Sequence, residues 1–169
     1  MDSRSLEIEY QKDGTAFKVV LTSKSPGIFA KASQQENIRG KEGAELVAAL
    51  IAYIRSKAVL LVERYRDGRR HDGAKGEPAM QVFSDSGKII TSKHFQDGRL
   101  NDGINGEPAM QMFDDRNRLI HAVSYKNGER VRELSGQERD DYMYRLAQKN
   151  AGKPLPDGKK PGPGGAKVG

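Results

Sequence analysis

The stretch "DGRRHDGAKGEPAMQVF" occupies residues 67–83, and "DGRLNDGINGEPAMQMF" occupies residues 97–113. A near-copy about thirty residues further on is either a chemical site made twice or a piece of scaffold made twice. Laying residues 64–93 over 94–123, Asp67-Gly68-Arg69, Asp72-Gly73, the run Gly76 to Gln81, Phe83, Asp85 and Ile90 all recur. That is roughly half of the unit, which marks a duplication. A third, shorter copy starts at Tyr125, where "YKNGERV" answers "YRDGRRH" and "FQDGRLN".

Within a unit, Ala79 to Phe83 and Ile89 to Phe95 read as strands separated by "SDSGK", and Ala109 to Phe113 and Leu119 to Tyr125 read as strands separated by "DDRNR". Each unit is therefore expected to be a β-hairpin. The Asp-Gly segment between hairpins reads as a connection whose Gly68, Gly73 and Gly76 take conformations closed to other residues, with Pro78 suited to the first position of a strand. Adding "AVLLVERY" at residues 58–65 gives an antiparallel meander of about five strands. On this reading the twin segments are scaffold.

Working outward, "SLEIEYQKDGTAFKVVLTS" alternates Leu6, Ile8 and Tyr10 with Glu7 and Glu9, turns at Asp13-Gly14, and resumes at Phe17, Val19 and Leu21. This predicts an N-terminal hairpin that joins or caps the meander. Residues 23–40 lack periodicity and are expected to be a loop with a short helical turn. "KEGAELVAALIAYIRSK" at 41–57 predicts a buried helix, its acidic start and basic end matching the helix dipole and Leu46, Leu50, Tyr53 and Ile54 forming its apolar stripe. Ser135 followed by Glu138 is a capping-box arrangement and opens a second helix over about 135–149. Tyr142, Met143 and Leu146 give that helix a stripe to cap the end of the sheet. The expected fold class is α+β, in one domain over 1–150: a ββα part at 1–57, hairpin repeats at 58–131 and a capping helix at 135–150. Residues 151–169 are rich in Pro, Gly and Lys, have little to bury, and are expected to be a disordered tail.

Composition narrows the chemistry. The chain has 169 residues, 19 of them glycine, and its hydrophobic share of 36% against 31% charged suits short strands and tight turns. Without cysteine there are no disulfides, thiolate metal sites or cysteine nucleophiles. Half of the net charge of +6 belongs to the tail, where Lys153, Lys159, Lys160 and Lys167 outnumber Asp157, so the body is only mildly basic. No apolar run approaches the length of a bilayer span and no signal core follows Met1, which leads us to expect a cytoplasmic protein without membrane attachment.

The alternation F-x-DG-R-x-x-DG…GEPA-x-x-F…G, over about residues 62–131, resembles the MORN-like repeats of bacterial YwqK-type antitoxin-component proteins. The third unit departs from that pattern at Arg132, and the N-terminal hairpin and helix have no counterpart in it. The resemblance implies a sheet of stacked hairpins used for binding, in some members to neutralise a toxin or to sit beside a secreted effector. It implies no catalytic residues and no cofactor.

Asp67, Asp72 and Glu77, repeated as Asp97, Asp102 and Glu107, invite a calcium reading, but Arg69 and Arg70, or Arg99 and Leu100, stand where alternate oxygen ligands would be needed. His71, His94 and His121 fall at three different phases of the repeat. There is no nucleophile elbow and no phosphate-cradling loop, so no enzyme, metal or cofactor is expected. Two function classes follow. In the first, a protein-binding module of the antitoxin, immunity or inhibitor kind presents Arg69, His71, Glu77, Arg99, Asn101 and Glu107 to a protein partner. In the second, a nucleic-acid binder uses Arg64, Arg66, Arg70 and Lys93, with Tyr65 and Phe95 for stacking and the basic tail in support. Burial of Tyr65 and Phe95 at equivalent core positions favours the first. Homo-oligomerisation is left open by the sequence.

Overall fold

The structure is a computed structural model that describes residues 4–151. The chain runs through β1 (Arg4–Lys12), β2 (Thr15–Ser23), α1 (Ile28–Ser33), α2 (Gly43–Arg55), β3 (Leu60–Arg66), β4 (Arg69–Arg70), β5 (Met80–Phe83) and β6 (Ile89–Lys93). It continues through β7 (Phe95–Gln96), β8 (Arg99–Leu100), β9 (Met110–Phe113), β10 (Leu119–Lys126), β11 (Glu129–Glu133) and α3 (Gly136–Asn150). The fold is α+β. Its nine-stranded antiparallel sheet has the order β1-β2-β3-β5-β6-β9-β10-β11, with β4 also on β3, while β7 and β8 form a separate two-stranded ribbon. The N-terminal hairpin joins the sheet, because β2 pairs with β3 from Phe17↔Arg66 to Thr22↔Leu61.

The repeat unit is more elaborate than a plain hairpin. β4 and β5 both run along β3, so the returning strand is interrupted by an excursion. The chain steps out at His71, whose N–H donates to Arg64 O at 3.1 Å, and steps back at Ala79, whose O accepts from Arg64 N at 2.7 Å. Thirty residues on, Asn101 and Ala109 flank His94 in the same way, at 3.1 and 2.8 Å. The result is a very large bulge opposite one residue of the partner strand. At the opposite end of each unit, β6 and β10 carry ordinary bulges, with Ile90 and Ile120 as the extra residues.

Strand alternation places Leu6, Ile8, Val19, Leu21, Leu60, Val62 and Phe83 on one side of the sheet, and α1 and α2 pack there to form the main core. The buried arc of α2 is Val47, Leu50, Ile51 and Ile54, whereas Leu46 and Tyr53 sit at its rim. The stripe expected from α2 alone is thus rotated, because Ile28, Ala32 and Ile38 of the preceding segment bury a second flank of the helix. Arg55 ties α2 to the first repeat. Its guanidinium lies 4.1 Å from the Phe83 ring centroid and donates twice to Gly87 O, at 3.1 and 2.7 Å.

At the other end, α3 opens with the expected capping box: Ser135 Oγ accepts from Glu138 N at 3.2 Å and Glu138 Oε1 accepts from Ser135 N at 2.9 Å. A second cluster of Leu119, Ala122 and Leu134, rimmed by Phe113, Tyr142 and Met143, holds α3 against the same side of the sheet. Leu146 lies outside this cluster. No helix of the described residues is long and apolar enough to cross a membrane. The expected disordered tail lies, from residue 152 onward, outside the described residues.

Candidate binding surface

Four tight turns line one end of the sheet. Asp13, Asp67, Asp97 and Asn127 have φ of 53°, 48°, 47° and 51°, each followed by a glycine of positive φ. These are the two left-handed positions of the turn that best matches strand twist, which explains the Asx-Gly pairs. Neighbouring turns are linked by Asp67 N to Ala16 O at 3.0 Å, Gly98 N to Arg70 O at 2.8 Å and Gly128 N to Leu100 O at 2.8 Å. Arg69 lies over Gly98 and Arg99 over Gly128, their Cβ atoms 3.8 and 3.5 Å from where a glycine Cβ would stand. Both arginines are exposed and make no ion pair among the described residues.

The second Asp-Gly pair of each unit does something different, and the expectation that Gly73 takes a conformation closed to other residues is corrected. Gly73 and Gly103 do not have positive φ. Asp72 is buried and its Oδ1 accepts from Ala79 N at 2.9 Å and Phe95 N at 3.0 Å, while Oδ2 meets His94 Nδ1 at 2.6 Å. Asp102 repeats the pattern: Oδ1 accepts from Ala109 N at 2.9 Å and Tyr125 N at 3.0 Å, and Oδ2 accepts from Ser124 Oγ at 2.5 Å. Each carboxylate closes its own excursion and fastens the next unit to it. Arg64, His94 and Ser124 are equivalent positions, one per unit: His94 and Ser124 are received by Asp72 and Asp102 of the preceding loop, whereas Arg64 has no preceding loop and turns to Pro78 O and Gln81 Oε1.

Gly73 and Gly103 are needed for space. A Cβ at either would stand 2.3 or 2.2 Å from Oε1 of Glu77 or Glu107. Those oxygens accept from Lys75 N at 2.9 Å and Asn105 N at 3.0 Å and brace the loop from inside. The carboxylates of a unit therefore point to a turn, a seam and a loop interior, and among the described residues no group of three metal-ligating side chains converges.

The candidate partner-binding residues divide accordingly. Arg69 and Arg99 are presented to solvent. Glu77 and Glu107 are braces. Asn101 is half-buried and its Oδ1 accepts from Asn127 N at 2.9 Å. His71 is buried, with Nδ1 2.9 Å from Asp72 O and Nε2 without a partner among the described residues. The candidate nucleic-acid residues fare less well. Arg64 is buried and donates from Nη1 to Pro78 O at 2.7 Å and Gln81 Oε1 at 2.8 Å. Burial pushes its guanidinium down from the ordinary value, opposed by Glu77, Tyr10 and Asp72. Arg66 pairs with Asp97 at 3.3 Å and Arg70 with Glu63 at 2.6 Å, leaving half-buried Lys93. Tyr65 and Phe95 are half-buried at the sheet margin instead of core, each under a cation: Lys18 Nζ at 5.0 Å and the Arg70 guanidinium at 5.7 Å.

The surface that sequence reasoning missed is the other side of the sheet. Both hydrophobic clusters draw only on the helix side. Strand register places Val20, Leu61, Val82, Met80, Met110 and Met112 on the opposite side. There Met112 is 40% exposed, whereas the bulge residues Ile90 and Ile120, 36% and 51% exposed, have no register partner, and Ile120 lines a groove with Arg139, Asp140 and Met143 of α3. The signal was present: β3, β5 and β9 carry apolar residues at both parities. Two-sided apolar strands belong to a sheet covered on both sides, and among the described residues this one is covered on one. The chain matches no family model, no curated protein and no solved structure.

Proposed function

We propose that this protein is a non-enzymatic protein-binding module of the small antitoxin, immunity or inhibitor kind, acting in the cytoplasm through the open side of its repeat sheet. The observation that carries the reading is the apolar group Leu61, Met80, Val82, Met110 and Met112, interspersed with Thr91 and Lys93, on the side of the sheet that no helix of the described residues covers. Contiguous exposed apolar surface marks interaction sites in soluble proteins, and flexible methionines suit it to a partner's contours. Arg69 and Arg99 stand at the margin of the sheet and supply orientation by charge. The inhibitory role rests on the resemblance to antitoxin-component repeats.

The test uses affinity capture with chemical cross-linking, comparing the wild type with Val82→Lys/Met112→Lys and Arg69→Glu/Arg99→Glu. A partner whose cross-links fall on the open side, and whose capture drops at least tenfold in the Val82/Met112 double variant, supports the proposal. Cross-links confined to the helix side overturn it. Salt-sensitive retention on single-stranded DNA, abolished by reversing Arg69 and Arg99, would instead favour nucleic acid as the partner.

A further inference from the structure

The stack of repeat loops ends in an unfilled place. In the first loop Gly76 has φ of 84°, and Ile104 of the second loop lies on it, with Cγ2 3.1 Å from where a Cβ would stand and Asn105 Nδ2 at 3.9 Å. Gly106 is the same residue of the second loop, with φ of 87°, and nothing lies within 4 Å of that point. No third loop follows, because β11 leads directly into α3. A groove of about 660 Å³ opens instead, between Asn105–Glu107 and the side chains of Tyr142, Arg145, Leu146 and Lys149.

The two walls specify what fits. The loop wall repeats the glycine surface that Ile104, itself 78% exposed, touches through its Cγ2, so it offers bare backbone on which a large aliphatic side chain can rest. The helix wall adds Tyr142 and Leu146, one turn apart, as apolar floor, and Arg145 and Lys149, also one turn apart, as cations. Among the described residues neither cation has an ion pair. Glu107 is already committed through Oε1 to Asn105 N.

We propose that this groove is a second protein-docking site, independent of the open sheet side, that takes a partner's loop bearing one large aliphatic residue between acidic residues. The aliphatic side chain covers Gly106 as Ile104 covers Gly76, and its flanking carboxylates meet Arg145 and Lys149.

The probe is a head-to-tail cyclic hexapeptide, Asp-Gly-Ile-Asn-Gly-Glu. It copies residues 102–107, a loop already pinched by Gly103 N donating to Glu107 O at 2.8 Å. Titrated into the full-length protein and followed by amide NMR, it is expected to shift Gly106, Tyr142 and Leu146 saturably. A peptide with Gly in place of Ile, and the protein variant Arg145→Glu/Lys149→Glu, should each bind at least tenfold more weakly, whereas the exposed control Arg116→Glu should bind as the wild type does. The Met112→Lys variant should also bind unchanged, which separates this site from the open side. Absence of shifts at millimolar peptide, or equal binding of the Ile-less peptide, overturns the proposal. So does movement of the same resonances with protein concentration alone, which would assign the groove to a second copy of the chain.

Discussion

Asp72 and His94 meet across the seam between the two repeat units, Oδ2 2.6 Å from Nδ1, with side chains only 3% and 2% exposed. The carboxylate also accepts two backbone N–H groups, so one side chain closes a loop and fastens its neighbour. Asp72→Ala strands all three partners in the interior and should cost about 3–5 kcal/mol, a large share of a small domain's stability. Asp72→Asn keeps one acceptor oxygen and should cost less. Urea unfolding measures both, and a loss under about 1 kcal/mol for the alanine variant would show that the strut is idle.

Gly73 and Glu77 share one space. Gly73→Ala should cost about 1–3 kcal/mol by displacing the Glu77 carboxylate. In a Glu77→Ala background the same change should cost clearly less, and additive losses in the double-variant cycle would contradict the steric account. Gly106→Ala has room but sits at φ of 87°, so its expected cost of about 1–2 kcal/mol is backbone strain, insensitive to Glu107→Ala.

Glu138 joins α3 to β11. Its hydrogen bond to Arg132, followed by those with Ser135, lowers its carboxyl from 4.5 to about 2. A depressed carboxyl contributes stability that is complete above its unfolded value and disappears as pH falls from about 4.5 toward 2. Helicity followed by circular dichroism should decline over that window, and Glu138→Gln should flatten the decline. Ser135→Ala removes the other half of the cap and should cost about 1 kcal/mol at neutral pH.

Tyr142 gives the opposite edge of the pH range. Burial, then the nearby Glu107 charge, pushes its phenol up to about 12, with a hydrogen bond to Gln111 working against them. Its contribution is complete below an unfolded value near 10 and is lost as pH rises toward 12. Burial also raises the Tyr10 phenol, so phenolate absorbance should show a late phase to which Tyr142 contributes, and Tyr142→Phe should remove its share of that phase together with the alkaline loosening of α3.

The order of the fold was legible because its signals are local. Asx-Gly turns, strand alternation, the Ser135–Glu138 cap and the helix at 41–57 each depend on residues a few positions apart. What was not legible depends on partners far along the chain. Asp67-Gly68 and Asp72-Gly73 are the same dipeptide, yet one is a turn and the other a buried strut, and the difference lies in Phe95 and His94 more than twenty residues later. Arg64 read as a surface cation for the same reason, since only the excursion at residues 71–79 places Pro78 O and Gln81 around it. The open side went unseen because Val82, Met110 and Met112 look like core residues until, among the described residues, no layer arrives to cover them.

Since each Asp strut reaches only the adjoining unit, copy number acts as a length setting. Splicing in another thirty-residue module would slide the C-terminal helix outward by two strand widths, roughly 10 Å, while leaving both ends chemically as they are. The protein is in this sense a caliper whose jaws are the α2 layer and α3, and whose opening is set by counting.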